Sequence, residues 1–130
     1  MAERANDWLR QAERDLRHAE NSLRDGDYEW ACFASQQAAE KALKAVYEKM
    51  NMVGRGHSIL GLLKGLSFHH EVPDQFYRYA RILSRYYIEA RYPNGFPEGA
   101  PSDYFDQDIA KEAIDAAKAL VQWSRSIVVG

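Results

Sequence analysis

A chain of 130 residues with 46% hydrophobic and 28% charged residues fits one soluble globular domain, which we expect to span residues 1–130. A formal charge of −2 excludes a protein that coats nucleic acid by bulk attraction, so any such contact must come from a local basic patch. The single cysteine, Cys32, excludes an intrachain disulfide and a thiolate zinc cluster.

No targeting or membrane segment is recognisable in the sequence. The first twenty residues are charged from position 3 and lack the apolar stretch of a signal peptide. No apolar run approaches the roughly 20 residues that a membrane-spanning helix needs. We therefore expect a cytoplasmic protein without a membrane partner.

The first two predicted helices are joined by a very short turn. Apolar residues recur at three- and four-residue steps from Trp8 to Leu23, and Asp7 is the predicted N-cap. Gly26 suits the left-handed position after a helix, and Asp27 suits the next N-cap. So short a connection predicts two antiparallel neighbouring helices.

The second predicted helix carries a face of small residues that lets another helix approach closely. Its members are Ala31, Ala34, Ala38, Ala42 and Ala45. Gln36 and Gln37 interrupt its apolar character, and they are either buried and hydrogen-bonded or face a partner chain.

The second half of the chain predicts three further helices. "HSILGLLKGL" indicates a short helix, and a longer one is predicted over about residues 73–91, where Pro93 forces its end. Residues 92–103 predict an irregular loop, and the last helix should start near Asp106. The predicted fold is all-α, an up-down antiparallel four-helix bundle with an additional short helix.

One helical face combines cations with aromatic rings. Arg78, Arg81 and Arg85 share a face of the fourth predicted helix, Arg91 follows at its end, and Tyr92 lies beside it. Arginine pairs with phosphate through two hydrogen bonds, and tyrosine rings stack on bases, which favours a nucleotide or RNA site. Cations near a helix C-terminus are equally typical of a solvated helix end, so both interpretations stay open here.

The order of "DWLRQAERDLRHAE", "ACFASQQAAEKALKAVY", "GHSILGLLKGL" and "YIEARYP" resembles the HEPN (higher eukaryotes and prokaryotes nucleotide-binding) family over about residues 5–128. The resemblance implies an antiparallel helical bundle that usually dimerises. It also implies pairing with a separate minimal nucleotidyltransferase, as toxin and antitoxin. Some members are metal-independent ribonucleases, and others are thought only to bind nucleotides.

The ribonuclease branch of that family carries an arginine followed, after four to six residues, by a histidine. This spacing is missing here: Arg85 and Arg91 have no histidine downstream, and Arg55 precedes His57 by only two positions. The resemblance therefore favours a member that is not an enzyme.

The resulting hypothesis is a non-catalytic homodimer that binds a nucleotide or RNA segment, with no other cofactor and no metal. The expected ligand-binding residues carry cationic, phenolic or imidazole groups: Arg85, Arg91, Tyr87, Tyr92, His57, Lys41 and Lys44. One alternative is a metal-independent endoribonuclease that uses His57 from another element. Another is a bundle that only docks a nucleotidyltransferase through its tyrosine–arginine face.

Overall fold

The computed structural model describes residues 4–130, and within that range the regular structure is entirely helical. Its six α-helices are α1 (Arg4–Asp25), α2 (Tyr28–Lys49), α3 (Ile59–Leu66), α4 (Asp74–Ser84), α5 (Tyr86–Glu89) and α6 (Gln107–Val129). The predicted all-α fold is confirmed, with α3 as the additional short helix. None of the helices in residues 4–130 is long and apolar enough to cross a membrane.

Helix α2 lies at the centre and packs against α1, α3, α4, α5 and α6. Its predicted small-residue face is buried along its whole length, from Ala31 to Ala45. Ala38 and Ala42 pack with Ala12 of α1 and Val121 of α6. Because alanine adds so little beyond the backbone, these helices can approach α2 closely. The sequence thus determines which helix is enclosed by the others.

The turn between α1 and α2 has the predicted glycine geometry, and Asp27 occupies the N-cap position of α2 without a side-chain capping hydrogen bond. Gly26 adopts a left-handed φ of +80°, and the Asp27 amide donates to the Ser22 carbonyl at 2.8 Å. The predicted N-cap at Asp7 is wrong, because α1 is already helical at Arg4. Asp7 instead lies in the first turn, where it accepts a hydrogen bond from Arg4 at 2.9 Å.

The predicted helix over residues 73–91 is divided into α4 and α5 at Arg85. The dihedral angles of Arg85 (φ −70°, ψ −21°) are those of a 3₁₀ turn. The helix therefore tightens there but remains right-handed. Tyr92 is extended (φ −123°, ψ 131°), as the residue before Pro93 must be. The end predicted from the proline is therefore confirmed.

The segment between α5 and α6 is more regular than the sequence predicts. It contains two 3₁₀ turns, at Pro93–Gly95 and Pro101–Asp103. Between them Phe96 stacks on Tyr104 with ring centroids 4.1 Å apart. Pattern-based analysis misses this because the two rings are eight positions apart within a stretch rich in proline and glycine. The predicted start of the last helix is confirmed, since Asp106 accepts from the Ile109 amide at 2.8 Å.

Cys32 is fully buried on α2, as its apolar sequence surroundings predict. Burial raises the pKa of its thiol to about 12, so the thiol stays protonated near neutral pH. Cys32 is therefore a core residue rather than a nucleophile.

Tyr47 of α2 is hydrogen-bonded to α3, and its side chain leaves no space for a Cβ atom at two glycine positions. Its hydroxyl donates to the Leu62 carbonyl at 2.8 Å. A Cβ on Gly54 would lie 2.8 Å from the Tyr47 ring, and a Cβ on Gly65 would collide with the Tyr47 hydroxyl oxygen. Both positions thus have room for glycine only while the Tyr47 side chain keeps this place.

We expect Gly65→Ala to destabilise the protein by about 1–2 kcal/mol, because the collision with Tyr47 outweighs the better helix propensity of alanine. The matched control is Gly61→Ala, also in α3, where the new Cβ meets only Ser58 at 3.4 Å. This control should be neutral or stabilising by up to about 1 kcal/mol. In a Tyr47→Phe background the cost of Gly65→Ala should fall. Urea unfolding of these variants measures this, and equal effects of the two glycine substitutions would contradict it.

Candidate functional site

A buried carboxylate on α2 is the centre of a small polar network. Gln36, Glu40 and Lys44 follow one another at four-residue steps and so share one helix face. The side chain of Glu40 is only 6% exposed. Its carboxylate accepts a hydrogen bond from the Lys44 ammonium at 3.0 Å and from the Gln36 amide at 3.0 Å. The negative charge is thereby compensated inside the bundle.

His57, in the loop before α3, is held by the same network. Its Nδ1 lies 3.1 and 3.2 Å from the two carboxylate oxygens of Glu40. The Gln36 amide also donates to the His57 carbonyl at 3.2 Å. Gln36 is fully buried, which settles one of the two alternatives predicted for it. The helix therefore holds His57 by both its backbone and its ring.

The contact with Glu40 sets the chemistry of the imidazole. A carboxylate only accepts hydrogen bonds, so the Nδ1 that faces it carries the hydrogen. In a neutral ring the Nε2 is then left as the acceptor. The His57 side chain is 52% exposed, so its ring is accessible from solvent. This arrangement prepares a histidine to accept a proton or a hydrogen bond at Nε2.

Two aromatic rings connect His57 to an arginine. The imidazole stacks on the Tyr87 ring with centroids 4.1 Å apart and planes at 13°. The Arg91 guanidinium lies 4.7 Å from the centroid of the same ring and 4.3 Å from that of Phe33 on α2. Arg91 Nε also donates to the Tyr87 carbonyl at 2.7 Å. The end of α5 thus places a cation on the same tyrosine ring that the histidine contacts.

Arg91 differs from the other half-buried cations of residues 4–130. Lys41, Lys44 and Lys118 are half-buried, and each pairs with a carboxylate. Arg91 is half-buried as well, yet it forms no salt bridge within residues 4–130. Its charge is stabilised by ring faces and a backbone carbonyl instead. Such a cation can still accept an anionic partner.

The structure brings most of the predicted ligand-binding residues together. His57, Tyr87 and Arg91 are in contact, and the Arg91 guanidinium lies 5.1 Å over the Tyr92 ring. Lys44 reaches the group through Glu40. Their role in binding stays a prediction.

Two predicted residues lie apart from this group. Arg85 donates to the Tyr86 hydroxyl at 3.4 Å, with its guanidinium 5.3 Å over the Tyr86 ring. Arg91 follows it by six positions, which places the two on different sides of the α4–α5 axis. Lys41 points to α1 and pairs with Asp15 at 2.6 Å.

Sequence analysis missed Glu40 and Phe33 as parts of the site. A recognisable signal for Glu40 exists, because an acidic residue in an alanine-rich helix is flanked at four-residue steps by glutamine and lysine. Such a pattern predicts a buried, compensated carboxylate. For Phe33 no comparable signal exists, since its contact with Arg91 joins residues 58 positions apart.

Replacing Glu40 by alanine should destabilise the protein by about 3 kcal/mol, because it leaves the nearly buried Lys44 ammonium without its counter-charge. His57→Ala should cost about 1 kcal/mol or less, since its ring is half exposed. Glu13→Ala is the matched control, because Glu13 pairs with Arg125 at the surface and should contribute less than about 0.5 kcal/mol. Urea unfolding followed by circular dichroism measures all three. Equal losses for Glu40→Ala and Glu13→Ala would show that the network is not buried in solution.

Comparison with known proteins identifies the family. Residues 5–127 match the HEPN domain family. The crystal structure of TT1696 from Thermus thermophilus is similar: it is 44% identical over 95% of this chain and 98% of its own, with a TM-score of 0.93. The archaeal HEPN homologue ST0689 is 38% identical over 95% and 97%, with a TM-score of 0.82. A HEPN domain protein from Thermotoga maritima is 31% identical over 95% and 98%, with a TM-score of 0.77. Among curated proteins, none matches. The chain belongs to the HEPN domain family.

Proposed function

We propose that this HEPN domain binds a nucleotide or an RNA segment at the surface formed by His57, Tyr87, Arg91 and Tyr92. The observation that carries the proposal is the half-buried guanidinium of Arg91, which has aromatic neighbours and no carboxylate partner within residues 4–130. Water and anions are the remaining partners for its free N–H groups.

The geometry of Arg91 suits a phosphate. A guanidinium has five N–H donors in a planar fork that matches two phosphate oxygens. Nε and Nη2 of Arg91 donate to the Tyr87 carbonyl, so the orientation of the fork is fixed before any ligand arrives. Donors on the far side of the guanidinium remain for an anion. A preorganised donor loses less entropy on binding than a mobile surface arginine does.

Two further groups, Tyr92 and His57, are placed to contact the parts of a nucleotide other than its phosphate. The Tyr92 ring is 48% exposed and lies beside Arg91, where a base can stack on it. The exposed imidazole of His57, stacked on Tyr87, offers a hydrogen-bond acceptor at Nε2. Because the overall charge is −2, the affinity for a nucleotide must come from this local arrangement and not from bulk electrostatic attraction.

Arg91→Ala should weaken the binding of ATP, GTP or a short RNA by about tenfold or more, because it removes charge-assisted hydrogen bonds to phosphate. Isothermal titration calorimetry measures the affinity. Arg78→Ala is the matched control, since Arg78 is exposed on α4 and lines a different groove, and it should leave the affinity unchanged. A folded wild-type protein that gives no heat with any of the three ligands would refute the proposal.

We propose the homodimer and the pairing with a minimal nucleotidyltransferase, as toxin and antitoxin, on the family resemblance. Exposed apolar side chains outside the site support a protein partner. Phe68 is 86% exposed, and Val53 and Met52 are also exposed near α3. Apolar groups of this size are common in surfaces that another protein covers.

A second function is favoured by a separate observation, the contact between Glu40 and His57. A carboxylate-oriented imidazole is the usual form of a general base. In a metal-independent ribonuclease, His57 Nε2 would take the proton of a 2′-hydroxyl, whose oxygen attacks the adjacent phosphorus. The bond from phosphorus to the 5′-oxygen breaks, that oxygen takes up a proton, and a 2′,3′-cyclic phosphate and a 5′-hydroxyl result. Arg91 would stabilise the extra negative charge on the phosphoryl oxygens.

If this second function holds, the protein should cleave single-stranded RNA in the presence of EDTA and leave a DNA strand of the same sequence intact, because DNA lacks the 2′-hydroxyl. His57→Ala should remove the activity, whereas His69→Ala, which replaces an exposed histidine after α3, should retain it. Gel analysis of end-labelled strands gives the rate and the product ends. RNA that stays intact at micromolar protein would exclude the ribonuclease and leave the binding function standing.

A further inference from the structure

The Arg91 cation contacts the exposed ring of Tyr92 directly and is connected to the exposed ring of Trp30 through Phe33. Tyr92 is 48% exposed on one side of it, with the guanidinium 5.1 Å from the ring centroid. On the other side the guanidinium lies 4.3 Å over Phe33, and Phe33 meets Trp30 edge to face at a centroid distance of 6.1 Å. Trp30 is 47% exposed. The contacts therefore run from an exposed ring to the cation, then to a supporting ring and then to a second exposed ring.

The inner ring of this group is not available to a ligand. Tyr87 is half-buried, His57 stacks on it at 4.1 Å, and Phe33 lies 6.4 Å away from it. Of the predicted ligand-binding residues, Tyr87 is therefore placed to support the site rather than to stack on a base. Tyr92 and Trp30 are the rings with free surface.

Trp30 also borders a groove between α1 and α2 of about 230 Å³. Its walls include Phe33, Ala34 and the amide of Gln37. Lys41 also lines this groove, but Asp15 neutralises it at 2.6 Å. A groove with an aromatic wall, an amide and no free cation suits a flat heterocycle with hydrogen-bonding edges rather than a phosphate.

We propose that the site takes a single-stranded oligonucleotide of at least two nucleotides. One base stacks on Tyr92, the next enters the groove beside Trp30, and the phosphate between them lies at Arg91. This inference rests on the proposed function and specifies its ligand. What supports it is the match between a phosphate flanked by two bases and an unpaired, half-buried cation flanked by two exposed rings. A second copy of the chain is the competing occupant, and light scattering on the ring variants separates it from an oligonucleotide.

The test compares AMP, the dinucleotide ApA and a six-nucleotide oligo(A) by calorimetry. ApA should bind at least about tenfold more tightly than AMP, because a second base stacks. Trp30→Ala should remove most of that gain and leave the affinity for AMP unchanged. Val129→Ala is the matched control, since it truncates an apolar side chain that is 58% exposed at the end of α6, outside the site, and it should change neither affinity.

Three outcomes would overturn the inference, and they are distinguishable. Equal affinities for AMP and ApA would exclude the second base site while the proposed function stands. The absence of binding by any ligand would refute the proposed function together with this inference. If Trp30→Ala and Tyr92→Ala leave RNA affinity intact but change the mass measured by light scattering, the two rings form a contact between copies instead.

Discussion

The buried carboxylate of Glu40 is the interaction on which the candidate site depends. Removing a carboxylate from water is costly, and the cost is offset here by Lys44, Gln36 and His57 together. Lys44 and Gln36 lie on the same helix as Glu40, so they hold its position whether or not His57 is present. His57 is therefore the member of this network that is free to contact a ligand, because its side chain is half exposed. If its contact with Glu40 changes, Lys44 and Gln36 still compensate the carboxylate.

Helix α2 supplies both parts of the site. The ionic part comes from Glu40 and its neighbours, and the aromatic part comes from Phe33 and Trp30, which lie closer to the start of the helix. The opposite side of α2 carries the alanines that seat it between α1 and α6. A site built on an enclosed helix is held more rigidly than one built on loops. The loop of His57 and the end of α5 are brought to this fixed surface.

The fold could be predicted from the sequence because its signals are local. Helical periodicity, Gly26 in the turn and Pro93 after the last turn of α5 each act over a few residues. The aromatic and cationic composition around Arg91 likewise marked the region of the site. Local sequence patterns do not show which residue of a neighbouring helix a given side chain contacts. Arg85 and Arg91 lie near the end of the same predicted helix, yet only Arg91 lies over Phe33, because this contact depends on how α5 packs against α2.

The distribution of charge limits how the site can recognise a ligand. Half-buried lysines within residues 4–130 are neutralised by Asp15, Glu40 and Glu20, so Arg91 is the half-buried cation there that no carboxylate compensates. One cation neutralises about one phosphate, and the salt-dependent part of the binding energy is correspondingly small. Discrimination must then come from groups that act at short range, namely ring faces and the hydrogen-bonding edge of His57. Under the proposed function, a nearly neutral, slightly acidic domain would in this way select a nucleotide chain without attracting nucleic acid in bulk.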